Sequence, residues 1–510
     1  MSFKIYKFFM FIILILIVSL SAQDKEQSNN MNVKDTQEIS RAAENPFLNY
    51  ELRGSIRTWI NMFCKPPYAF DILQSKLKLE LLAKAGEHAG CKALGYYSFD
   101  ALNRTNIFDL QELYLDFYSE YFDARLGKQV LAWGKADEIN PTDIFNPQDL
   151  SIFSEDKSLR KIGVLNLKTD IKVSDFFLEC NWKPFFEGSR LPATNSPWAF
   201  FNPVDIISNI IHIEVYPGTN GLPAMLVSKI TQNMNSSAFS SNNSTYSVPI
   251  PPLPKNAFTN TEYAVKFGGT IGILDFSLSF ADVWDSIPTI QPYISNISMV
   301  TQIGPIIITN GPIVITNGPY TITNEIELTL PELVYKRTKM FGADFAMSLG
   351  PVGLWTEGAY FLTKDIHGNN EYIKNPYFQI IIGGDYTIPV IDFKINAQYF
   401  REIITKIDND DEKFSEKDII SRLGAGLPVS EAISLRVERK FLPGEICSMS
   451  IHGIYDIKDK GYALTPKIAL SPVDAFTIEL GASLYGGNKK SLFGKFDKND
   501  NFYMKGTYAF

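Results

Sequence analysis

Histidine and cysteine are both scarce in this 510-residue chain, four of each, and their placement excludes more chemistry than their number. His88, His212, His367 and His452 stand far apart, so no HExxH helix or other compact histidine motif is present. Cys64, Cys91, Cys180 and Cys447 are equally scattered. Without a CxxC pair there is no zinc signature, and whether the thiols pair is left open. A P-loop and a G-x-S-x-G elbow are also missing. The expectation is therefore a protein that is not an enzyme, with no cofactor and no metal. Basic residues do not prevail either. The 48 Lys and Arg against 56 Asp and Glu give a net charge of −8, which argues against nucleic acid as a partner. Beyond the N-terminal region no apolar run reaches the ~20 residues a spanning helix needs.

What is present begins with a leader. Lys4 and Lys7 precede an apolar run over residues 8–20, and Ser19 and Ser21 supply small residues for cleavage. Residues 1–21 read as a secretory signal peptide. Residues 22–48 read as a polar periplasmic lead or small plug, and 49–510 as the body. If a secreted chain without an apolar helix crosses a membrane, a closed barrel is the only means, because every backbone polar group must be satisfied in lipid.

The body has the rings and the alternation such a barrel needs. Aromatics make up 13%, with 37 Phe, 24 Tyr and 6 Trp, as expected of girdles at two membrane interfaces. Ile391, Phe393, Ile395, Ala397 and Tyr399 share one face of a period-two pattern, with Asp392, Lys394, Asn396 and Gln398 on the other. The pattern recurs over 73–83, 165–171, 433–437 and 476–484. Tight links at 118–122, 173–175, 272–275, 350–353, 389–390, 428–431 and 471–475 alternate with longer polar ones. Four of them carry a Pro-Val pair, recurring about every forty residues, the span of two strands and a loop. Three links are very long: 133–163, 184–260 and 284–335. The last holds the repeat GPIIITN, GPIVITN, GPYTITN, whose alternation predicts strands extending above the barrel. The reading is all-β: a transmembrane antiparallel up-and-down barrel of about eighteen strands (an even number, 16–20) with long outer loops. The tally does not close near 441–462, where 449–457 reads as one strand too many.

Two stretches resemble known families. Phe502, Met504, Gly506, Tyr508 and Phe510 alternate to the last residue, which resembles the closing-strand signal of bacterial outer-membrane proteins. That resemblance implies recognition of Phe502, Tyr508 and Phe510 by the barrel assembly machinery. The run LYLDFYSEYFDARLGKQVLAWGKADEINPTDIFNPQDL over 113–150 resembles porin-like outer-membrane barrels, closest to a largely uncharacterised group akin to alginate-export porins. It implies an outer-membrane location and solute passage, and carries over no substrate. The same motif also reads as a structural corner, with Gly127 and Gly134 relieving crowding.

Projecting the alternation inward predicts a polar lumen of both signs. Its cations are Arg53, Arg57, Lys76, Lys78, Arg125, Lys168, Lys394 and Arg436, with Glu112, Asp116, Asp170, Asp392 and Glu438 among the acids. The basic early strands suggest a preference for anions, although opposite charges on neighbouring strands also serve simply to satisfy each other. Residues 133–163 are the expected constricting loop, with Asp137, Asp143 and Asp149 as its candidate residues. The every-third-residue series Asp137, Asn140, Asp143, Asn146, Asp149 offers oxygen ligands, but its spacing is not that of a calcium loop, and turn chemistry accounts for it better. The function expected is a porin-like channel for passive passage of small hydrophilic solutes, with lipid, the assembly machinery and the solute as partners. The alternatives are a surface interaction protein anchored by a barrel, and a plugged transporter for hydrophobic solutes.

Overall fold

The computed structural model describes residues 48–510, apart from 67, 138, 152–159, 194–195, 200–211, 217–251, 304–305, 311–312, 318–319, 369, 371–372, 390, 406–429 and 490. The leader expected over 1–21 and nearly all of the lead over 22–48 lie outside the described residues.

Alternation has produced strands throughout. The first half contributes β1 (Leu48–Phe63), β2 (Phe70–Ala85), β3 (Ala89–Asp100), β4 (Thr105–Phe117), β5 (Phe122–Gln129), β6 (Val164–Val173), β7 (Phe176–Lys183), β8 (His212–Tyr216), β9 (Glu262–Ile271) and β10 (Leu274–Trp284). Then come β11 (Thr289–Ile303), β12 (Ile306–Asn310), β13 (Ile313–Asn317), β14 (Tyr320–Val334), β15 (Arg337–Leu349) and β16 (Val352–Leu362). The remainder are β17 (Tyr377–Ile388), β18 (Phe393–Ile404), β19 (Glu431–Phe441), β20 (Cys447–Asp456), β21 (Gly461–Val473), β22 (Phe476–Gly487) and β23 (Asn501–Ala509). All except β8 and β11–β14 form one antiparallel sheet of 18 strands. It closes because β23 pairs with β1, from Ser55 opposite Ala509 to Phe63 opposite Asn501. Closure leaves no sheet edge to satisfy.

The sheet's two faces differ in kind. Outward positions are apolar and bare: Leu52 is 60% exposed, Ile382 53% and Leu435 47%. An apolar belt of this extent is unfavourable in water and suited to lipid. The neighbours of these residues, such as Asn396, Gln398 and Ser434, point inward and are buried. Short turns join strands at one barrel end, and the long connections all lie at the other, where the links 101–104 and 457–460 are the short exceptions.

One segment requires correction. Residues 428–429 of the tight link expected at 428–431 lie outside the described residues, and Glu431 opens β19 opposite Arg401 in the last part of β18, which puts it at the long-loop end. The tight turn is instead Leu442–Ile446, where Leu442 and Glu445 adopt positive φ. The strand that seemed one too many is β20, a full member of the wall paired with β19 and β21. That single substitution of turns closes the count at an even number. The triple repeat falls in strands beyond the barrel: β11 pairs with β14, which also pairs with β8, and β12 pairs with β13.

Candidate functional site

The barrel interior is the candidate site, and it is built in two tiers. Nearer the turn end it carries a ladder of alternating charge across consecutive strands. Lys78 lies 3.2 Å from Glu80, Lys92 bridges Glu80 at 3.0 Å and Glu112 at 2.8 Å, and Arg125 holds Asp116 at 2.6 Å. Lys168 continues the ladder to Asp170 at 3.0 Å and Glu179 at 3.5 Å. Charges at neighbouring inward positions satisfy one another as cross-strand pairs do. Nearer the loop end, inward positions turn apolar: Phe63, Phe400, Ala432 and Tyr485 are all buried, though they face the interior of a barrel.

The reason is that chain has folded in from the loop end. After Gln129 the backbone leaves the wall and does not rejoin it until β6. Gly127 (φ 141) sits where a Cβ would meet the Leu113 carbonyl at 2.3 Å, so the corner needs glycine. Asn146 ties the departing and returning legs together. Its amide donates to the Gln129 carbonyl at 3.2 Å and the Ile162 carbonyl at 2.8 Å, and its oxygen accepts from the Leu131 amide at 2.8 Å. Trp133 donates its indole N–H to Glu179 at 2.8 Å. Ala136, Ile139 and Leu150 then pack against Ile381, Phe400 and Ala432 of the wall. A second inward segment brings Trp198 against Phe63, Tyr485 and Phe496, its indole donating to Asp71 at 3.1 and 3.2 Å.

The wall receives the first loop through one carboxylate. Glu357 of β16 is fully buried. Its oxygens accept from the Thr142 amide at 2.7 Å, the Thr142 hydroxyl at 2.8 Å, the Lys135 amide at 3.0 Å and the Ala136 amide at 3.4 Å. Gly134 (φ 86) makes the approach feasible, since a Cβ there would lie 2.3 Å from a Glu357 oxygen. One strand pair further round, Asn396 donates to Asp137 at 2.6 Å.

The residues expected from sequence fall as follows. Arg53, Arg57, Lys76, Lys78, Arg125, Lys168, Lys394 and Arg436 all occupy inward positions of their strands. Arg57 lies directly across from Lys76, but Arg53 lies across from Glu80 and pairs with Glu51 at 2.6 Å. The basic stripe is therefore interrupted by carboxylates. Arg57 donates to Thr507 at 3.3 Å, and Lys76 stands 5.3 Å from the centre of the Tyr96 ring. Arg436 lies across from Asn396 and His452, and His452 hydrogen-bonds Ser434 at 2.9 Å. Of the loop acids, Asp137 reaches the far wall. Asp143 pairs with Lys161 within the loop, and Asp149 accepts from the Ser151 amide at 3.0 Å and from Arg190 of the second inward segment at 3.4 Å, so the first holds the loop's own shape and the second also joins it to its neighbour. The cysteines are free, and among the described residues no cluster could hold a metal ion. Sequence reasoning missed Glu357 and Trp198. Glu357 was legible as an inward polar position between Trp355 and Ala359, but its partners lie more than two hundred residues away.

At the rim, Lys65 of the first loop reaches Asp497 at 2.8 Å and Asp500 at 2.9 Å in the last. The hydrogen bond from Lys65, and then its charge, hold the Asp497 carboxyl below the usual carboxylate range.

Residues 22–400 match the family model described as "Protein of unknown function (DUF1302)". No curated protein matches the sequence. Among solved structures, OpdL of Pseudomonas aeruginosa is similar at 10% identity and a TM-score of 0.46, over 91% of this chain and 99% of that one. OccK8 (OprE) of the same organism is similar at 10% identity and a TM-score of 0.44, over 91% and 98%. The trimer form of OmpT, an outer membrane protein of Vibrio cholerae, is similar at 9% identity and a TM-score of 0.36, over 91% and 100%.

Proposed function

We propose, from the premise that this chain belongs to the DUF1302 family, that it is an outer-membrane channel through which small hydrophilic solutes diffuse passively. The observation that carries this reading is the pairing of a charged, two-signed inner face with a loop folded into the lumen and fastened to β16, five strands round the wall from β6. A barrel that served only as an anchor has no need of a narrowed interior. Lipid covers the apolar belt, the short turns together with the start of β1 and the end of β23 face the periplasm, and the long connections face outward. Solutes then meet the inward loops first and the charge ladder second. Selectivity resides in the lumen cations, including Arg57, Lys76, Lys394 and Arg436, which raise the local concentration of anions.

The test is conductance of purified, heat-modifiable protein in planar bilayers, beside a variant lacking residues 135–146. The channel reading expects discrete conductance that increases on deletion. A folded barrel with neither conductance nor solute uptake overturns it. The second reading, a surface interaction protein, is favoured by one feature. β11 and β14, fifteen residues each, extend roughly 50 Å at ~3.4 Å per residue, and they do so outside the barrel wall.

A further inference from the structure

Glu357 does more than line the wall, and resting on the channel reading above, we propose that it is the latch that sets the width of the lumen. A buried carboxylate must be hydrogen-bonded or it is not kept as an anion. Every donor that Glu357 meets among the described residues belongs to the inward loop: three backbone amides and one hydroxyl, from Lys135, Ala136 and Thr142. Its own wall offers it no such help. Asp344 lies directly across from it on β15 and is also buried, its hydrogen bond coming from Ser277 of β10. Two acids side by side on one face repel, and the loop's amides stabilise the one they reach.

The loop side is equally committed. Its amides at 135, 136 and 142 converge on one point, as in the anion-binding concavities that successive backbone N–H groups form. Room is made on both partners. Gly134 leaves space for the carboxylate, and Gly342 of β15 leaves space for the Thr142 methyl, which a Cβ there would approach to 2.6 Å. If the loop withdraws, the freed carboxylate faces the lumen and is taken up by water, and the amides likewise. Release therefore exchanges one set of hydrogen bonds for another, leaving no buried charge behind. That makes the contact a reversible latch, with the closed position favoured by the carboxylate's charge. Asn396 and Asp137 supply a second, weaker hold.

The test compares Glu357→Gln with wild type in the full-length, refolded barrel, using hydrogen–deuterium exchange of the 134–143 peptide together with bilayer conductance. The latch predicts that amide exchange in 134–143 speeds up about ten-fold or more, as for loss of one charge-assisted hydrogen bond. Exchange in β16 and β17 should stay slow, and conductance should increase. Glu357→Asp should fall between the two. Unchanged exchange in 134–143 overturns the latch, whatever the conductance. Faster exchange with no conductance in either protein upholds the latch and overturns the channel reading instead. Should Glu357→Gln fail to fold, Gly134→Ala decides the matter with the wall intact. The added Cβ would lie 2.3 Å from a Glu357 oxygen, on a backbone whose φ of 86° disfavours a side chain, so the same faster exchange is expected, with unchanged exchange again overturning the proposal.

Discussion

The ring of Phe510 lies against the Cα of Gly54, so closely that a Cβ on Gly54 would be 2.3 Å from the ring's Cζ. The two backbones also exchange hydrogen bonds, Gly54 N–H to the Phe510 carbonyl at 2.8 Å and Phe510 N–H to the Gly54 carbonyl at 2.9 Å. The first strand and the last residue thus meet at the seam where the barrel closes. An aromatic ring laid over a strand glycine shields backbone that the glycine itself leaves bare.

Removing Phe510 should accordingly weaken closure, losing two backbone hydrogen bonds at about 1 kcal/mol each as well as the ring. Less heat-modifiable protein is expected from cells making the Phe510 deletion, and less again with Lys at 510. Gly54→Leu, which evicts the ring and leaves residue 510 in place, should give an intermediate yield. Normal surface levels of all three would show that the seam contact is dispensable.

Outward and inward positions should respond differently to charge. Leu435 on β19, 47% exposed, is a suitable outward position, whereas Phe393 is the first residue of β18, beside Arg439. Leu435→Arg should cost about 2–4 kcal/mol in folding stability in lipid. Arg436→Lys, one position along and inward, should cost little. Urea titrations in vesicles read the difference, and equal losses would overturn the assignment of one face to lipid and the other to the lumen.

Lys183 and Glu262 are, among the described residues, the most deeply buried ion pair, with side chains 3% and 0% exposed. They sit at the end of β7 and the start of β9, the two stems of the longest insertion, and Lys183 also donates to the Phe145 carbonyl at 3.2 Å. Lys183→Met strands the carboxylate and should destabilise by about 3–5 kcal/mol. Adding Glu262→Leu should restore most of that loss, because the uncompensated charge is gone. A double variant no better than the single one would locate the effect in the lost Phe145 contact instead.

Arg57 and Lys76 face each other across β1 and β2, and together they are the cleanest place to test charge selectivity. Changing both to Glu should move the reversal potential in a salt gradient toward cation preference, most visibly at low ionic strength where screening is weak. An unmoved reversal potential in a conducting channel would mean that ions pass along another part of the wall. Lys78 is a poorer choice, because its bridge to Glu80 ties it to the whole ladder.

Period-two alternation was legible residue by residue, since side-chain direction in a strand depends only on position parity. It placed Arg436 inward and Leu435 outward without any knowledge of neighbours, and repetition of the pattern was enough to expect a closed wall of about eighteen strands. Where parity gave no help, the reading slipped: the turn at Leu442–Ile446 has its positive φ at Leu442 and Glu445, residue types that do not announce a turn. The use made of the lumen was decided only by tertiary structure. Phe63, Phe400 and Tyr485 are apolar at inward positions because loop residues far away in sequence come to cover them. Glu357 carries the same alternating signature as Glu112 or Glu438, yet it alone meets the amides of Lys135, Ala136 and Thr142. Alternation is a local property of the backbone, whereas a loop's resting place depends on contacts between segments hundreds of residues apart, and those exist only once the barrel has closed.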